Sequence, residues 1–138
     1  SRHAEEGVRH FSGTATWIFD VPPSGQPADP RLRRWLDLGV VKNLAEVVVN
    51  GRSLGVLWRP PFRVEVTEAW RPAETNRVEV RVTNLWINRL IGDAACPEEK
   101  RVTWTTYNPW TANDPLPDSG LMGPVMLRYA RVVSVHAP

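Results

Sequence analysis

Apolar and polar residues alternate with a period of two through much of this chain, and that period predicts strands. From Phe11 to Val21, Phe11, Gly13, Ala15, Trp17 and Phe19 share one face while Ser12, Thr14 and Thr16 share the other. Arg77–Asn84 repeats the pattern, with Val78, Val80 and Val82 inward and Arg77, Glu79, Arg81 and Thr83 outward. Phe62–Val66 places Phe62, Val64 and Val66 on one face. The strongest local signal is Asn50-Gly51 between Leu44–Asn50 and Ser53–Trp58. Asn-Gly tolerates the positive φ values of a type I′ turn, so these runs predict a hairpin. Trp35–Leu38 reads as a short strand ended by Gly39, and Leu85–Gly92 as an apolar continuation of the strand before it. Val102–Thr106, Pro124–Tyr129 and Val132–Val135 complete a set of about nine predicted strands.

The breaks between them are equally plain. Pro22–Pro30 holds four prolines and one glycine and reads as a loop. Thr67–Ala73 allows at most one helical turn, with Thr67 as its N-cap, before Pro72. Asp93–Arg101 reads as a polar loop, and Tyr107–Gly123 as a long irregular one. Loops this long in a compact domain are commonly functional. No window sustains a period of 3.6 residues. The fold expected is all-β, a jelly-roll β-sandwich, with residues 1–138 forming one domain.

Composition narrows the function classes. A net charge of +2 comes with no basic stripe, which argues against nucleic acid as a partner. No apolar run approaches the roughly 20 residues of a membrane helix. The single cysteine, Cys96, rules out an internal disulfide framework and has no histidine near it in sequence. Asp93, Glu98, Glu99, Asp114 and Asp118 fall in loops, where a catalytic pair lacks the apolar setting that raises an acid's pKa. Asp93 or Asp114 could hold a structural calcium ion with backbone carbonyls, although the spacing matches no loop motif.

The positive signal is aromatic. The chain has seven tryptophans. Trp17, Trp35 and Trp70 lie in apolar contexts that suit core or rim packing. Trp58 stands beside Arg59, Trp86 lies near Asn88, and Trp104, Tyr107, Asn108 and Trp110 crowd the start of the long loop. Indole and phenol rings match the C–H face of a pyranose, while amide and guanidinium groups match its hydroxyls. The same residue types also suit a domain–domain interface, so the residues leave both readings open.

Six segments carry a resemblance. They are FSGTATW at Phe11–Trp17, LDLG at Leu36–Gly39, AEVVVNGRSLGVLWRPPF at Ala45–Phe62, VTNLWINRLIGD at Val82–Asp93, TWTTYNPW at Thr103–Trp110 and SGLMGPV at Ser119–Val125. Together they resemble the galactose-binding-like "sugar-binding" β-sandwich of glycoside hydrolase family 2, and most of all the version attached to large bacterial α-L-rhamnosidases of the family 106 type. The resemblance runs from about Phe11 to Val135. It implies a jelly-roll domain, part of a longer enzyme whose catalytic carboxylates lie in a separate barrel. No catalytic residue carries over. The matching motif positions are Asn84, Trp86, Asn88, Arg89, Asp93, Trp104, Tyr107, Asn108 and Trp110, with Arg89 and Asp93 reading as an internal ion pair. Two functions follow as expectations. One is a non-catalytic carbohydrate-binding domain for a plant or algal polysaccharide, using Trp58, Arg59, Trp86, Asn88, Trp104, Tyr107, Asn108 and Trp110. The other is a structural domain packed on the catalytic barrel. A secreted or periplasmic bacterial protein is the expected setting.

Overall fold

The computed structural model describes residues 5–23 and 29–133. Nine strands occur among them: β1 (Thr14–Val21), β2 (Leu32–Asp37), β3 (Val40–Lys42), β4 (Leu44–Val49), β5 (Arg52–Leu57), β6 (Arg63–Glu65), β7 (Asn76–Thr83), β8 (Gly120–Gly123) and β9 (Met126–Arg131). Two short α-helices, α1 (Glu6–Arg9) and α2 (Ile87–Ala94), and one 3-10 turn, Glu98–Lys100, accompany them. One antiparallel sheet has the order β1-β7-β4-β5 and a second the order β6-β2-β9, while β3 and β8 form a separate pair. The result is an antiparallel β-sandwich, as the alternation predicts.

The core follows from the pleat. Val78, Val80 and Val82 on β7 are buried, and each faces the interior beside Ala45, Val47 and Val49 of β4. The second sheet contributes Leu36, and Leu38, Phe62 and Val66 follow from its flanks. Trp70 is buried against them, and Trp17 packs on the cluster from β1. The predicted hairpin forms with Val49 opposite Arg52, and both Asn50 (φ 51°) and Gly51 (φ 82°) take the left-handed conformation of a type I′ turn.

Polar side chains close the turn end of the sandwich. Asn50 Nδ2 donates to the Ala69 carbonyl and to Asn76 Oδ1, and Asn50 Oδ1 accepts from the Arg77 N–H. The 66–70 turn is a single one, with the Ala69 and Trp70 N–H groups both donating to the Val66 carbonyl. Thr67 Oγ1 accepts from the Arg34 N–H, so this hydroxyl ties the turn to β2 instead of capping a helix.

Four expectations are corrected. Leu85–Gly92 does not prolong β7, because Ile87–Ala94 is the helix α2, with Asn88, Ile91 and Gly92 buried at helical spacing. The chain leaves the ladder at Asn84, whose amide bonds the Gly13 N–H, the Phe11 carbonyl and Ser119 Oγ. Val102–Thr106 is not a strand, since the N–H groups of Val102 and Thr103 donate to the Asp93 carboxylate and are lost to any ladder. Val132 and Val133 lie outside β9, and the rest of the predicted last strand lies outside the described residues. Strands β3 and β8 were not predicted. They pair beyond a corner at which Gly39 (φ 64°) passes so close to Gly123 that a Cβ would stand 2.4 Å from its carbonyl oxygen.

Candidate functional site

Register places the candidate residues at one end of the sandwich. Thr83 pairs with both Thr14 and Leu44, and Ala45 pairs with Leu57. The segment after β7 and the Trp58 turn after β5 therefore leave from the same end.

The segment after β7 builds the larger site. Helix α2 carries Arg89 and Asp93 one turn apart, joined by a 3.0 Å ion pair in which Asp93 is almost wholly buried. Asp93 also accepts hydrogen bonds from the Val102 N–H (3.2 Å), the Thr103 N–H (2.8 Å) and the Thr103 hydroxyl. Burial pushes the Asp93 carboxyl up. The Thr103 hydroxyl, the two N–H groups and the Arg89 guanidinium outweigh that and hold it below the usual carboxylate range. One carboxylate thereby pins the irregular strip 101–110 against the helix. Further along, Asn108 Nδ2 donates to the Leu90 carbonyl (3.2 Å) and Asn108 Oδ1 accepts from the Trp110 N–H (3.0 Å). Asp114 Oδ2 accepts from the N–H and hydroxyl of Thr111. Side chains thus supply the hydrogen bonds that a ladder would otherwise give this loop.

Between helix and strip lies a cleft of about 600 Å³. Trp104, Trp110 and Asn108 line it together with Leu90, Thr105, Glu98 and Arg101. Trp104 is 80% exposed, whereas Trp110 is half-buried. Glu98 and Arg101 carry no ion pair among the described residues, so their charged ends are available to a guest. Arg101 spends only its Nε, which donates to the Cys96 carbonyl.

The other predicted ligand residues lie elsewhere. Trp58 and Arg59 line a separate shallow cleft with Pro60 and Pro61. Trp86 and Tyr107 are exposed but line neither cleft. Asn88 is buried, and its Nδ2 donates to the Pro117 carbonyl (3.0 Å), which anchors the return of the long loop. The sequence reading did not single out Leu90, Thr105 or Arg101. Leu90 reaches the cleft only because 87–94 is helical, and the short apolar run there hid that period. No group of three His, Cys, Asp or Glu side chains able to hold a metal ion occurs among the described residues.

No protein-family model matches the chain. The structure superimposes on that of a rhamnosidase from Novosphingobium sp. PP1Y with a TM-score of 0.81 and 41% identity, over 91% of this chain and 12% of that one. Over nearly all its described length, this chain is similar to one segment of a glycoside hydrolase. A curated relative from Formosa agariphila, named as a beta-glucuronidase, is 37% identical over 88% of the chain and 12% of its own length. The chain thus spans about one eighth of either relative. A glycosyl hydrolase family 2 member from Bacteroides cellulosilyticus shares the fold, with a TM-score of 0.56 at 16% identity, over 87% of this chain and 12% of that one. The resemblance read from the motifs agrees with these similarities.

Proposed function

We propose that this β-sandwich is a non-catalytic domain of a glycoside hydrolase and that its Trp104–Trp110 cleft binds a sugar unit. The cleft carries the reading. It is concave, of a size usual for small-ligand sites, and combines two indoles with the Glu98 carboxylate and the Arg101 guanidinium, neither of them in an ion pair among the described residues. An exposed indole stacks on the C–H face of a pyranose, and Glu98 and Arg101 orient its hydroxyls. Asn108 shapes the cleft through its two backbone bonds. The relatives' greater length leaves room for catalytic carboxylates in other domains, and Asp93, the buried carboxylate here, is occupied by four donors. The rhamnosidase relative makes a rhamnose-containing plant or algal polysaccharide the first ligand class to try. An exported bacterial enzyme is the matching setting. No described helix is long and apolar enough to cross a membrane.

The exposed rings of Trp86 (58%) and Tyr107 (76%), outside both clefts, favour a second reading, a surface packed on the catalytic domain of the parent enzyme.

A glycan array on the chain, run with calcium and again with a chelator, separates the two. Selective binding that Trp104→Ala abolishes supports the sugar cleft, and loss on chelation adds a bound calcium ion. A blank array from protein that melts cooperatively rejects the sugar cleft and leaves the packing surface.

A further inference from the structure

The turn between β5 and β6 forms a second cleft of about 250 Å³, lined by Val56, Leu57, Trp58, Arg59, Pro60 and Pro61. Trp58 is 69% exposed, and the Arg59 guanidinium carbon lies 5.4 Å from its ring centroid. On the β6-β2-β9 sheet, Arg33 pairs with Glu65, Arg128 with Asp37 and Arg131 with Asp29. Arg59 has no carboxylate partner among the described residues. Neither has Arg63, which lies just beyond the two prolines and stacks on Trp35, also at 5.4 Å.

We propose that the Trp58–Arg59 turn binds an anionic sugar residue, a pyranose bearing a carboxylate or a sulfate ester. The open indole surface accepts the C–H face of the ring. The guanidinium, held beside it by its cation–π contact, pairs with the anionic substituent through two parallel N–H donors. Proline restricts the backbone of the turn, so little order has to be gained on binding. A docked protein fits less well. A stable interface covers about 800 Å² per partner, whereas this cleft is lined by one short turn with Trp58 as its single ring. The site is independent of the Trp104–Trp110 cleft.

Affinity electrophoresis of the chain tests this in gels containing polygalacturonate, a sulfated galactan or an uncharged galactan. Retardation is expected in at least one of the two anionic gels and to be absent with the uncharged one. The gel that retards identifies the substituent as carboxylate or sulfate. Trp58→Ala, which keeps the net charge, abolishes the retardation. Arg59→Gln weakens it about tenfold, in line with loss of a charge-assisted hydrogen bond. Trp104→Ala leaves it unchanged, so this result stands apart from the fate of the first cleft. Equal migration in all three gels overturns the proposal. So does retardation that survives Trp58→Ala, which would be charge attraction alone.

Discussion

Asp93 and Thr103 are ten residues apart, and both the N–H and the hydroxyl of Thr103 donate to the same oxygen, Oδ2, of the Asp93 carboxylate. With Arg89 on Oδ1, the carboxylate joins α2 to the wall of the cleft. Asp93→Asn keeps the shape but gives up the charge and turns an acceptor into a donor. It is expected to cost about 3 kcal/mol, the scale for breaking a buried pair. Urea unfolding followed by tryptophan fluorescence measures it. A cost below about 1 kcal/mol would mean that the strip is held by something else.

The same carboxylate sets an acid limit. Its folded pKa lies below its ordinary value near 3.8. Protons therefore bind the unfolded chain more readily, and the stabilisation is fully present above the unfolded pKa. It is lost as pH falls from about 4 through the lower folded value. Melting temperatures recorded from pH 7 down to pH 2.5 should fall more steeply below pH 4 for the parent chain than for Asp93→Asn. Parallel curves would remove Asp93 as the cause.

How much of this was legible in the sequence depends on where each backbone bond goes. Strands β1, β4, β5 and β7 were readable because their N–H groups meet other strands in a regular ladder and their side chains alternate accordingly. The strip 101–110 was misread as part strand because its N–H groups meet carboxylate and amide side chains, and no periodicity records that. Helix α2 was hidden for a related reason. Its buried face includes Asn88 and Asp93, two polar residues that an apolar period does not count. Trp104 and Trp110 stand close together along the chain, but their separation from Trp58 follows only from where the β5 edge lies in space.

Asn76 is fully buried at the opposite end of the sandwich, and its side chain is completely used. Nδ2 donates to the Arg71 and Glu74 carbonyls, while Oδ1 accepts from the Arg71 N–H and from Asn50 Nδ2. Asn76→Ala removes all four of these hydrogen bonds and leaves partners on two segments unpaired, at about 1–3 kcal/mol for each that water does not reach. A loss of about 3 kcal/mol in denaturant unfolding is expected, with the Trp104 cleft untouched. Asn76→Asp should recover little, because a carboxylate cannot donate to the two carbonyls. A neutral Asn76→Ala would show that water replaces the amide.

Arg34 reverses that logic. It is 4% exposed, on the same face of β2 as buried Leu36, and its Nε and Nη2 have no hydrogen-bond partner. Removing one member of a buried ion pair is costly because it strands the other, but no carboxylate pairs with Arg34 among the described residues. Arg34→Met therefore strands no carboxylate among the described residues. It keeps an unbranched apolar stem of similar reach, and it removes a charge whose burial costs several kcal/mol per ion before relaxation and compensation. The expected result is unchanged or higher stability, by up to about 2 kcal/mol, with the Arg34 N–H bond to Thr67 preserved. Thermal unfolding of the two proteins side by side decides it. A loss of more than about 1 kcal/mol would show that the guanidinium has a partner in solution whose energy exceeds its desolvation.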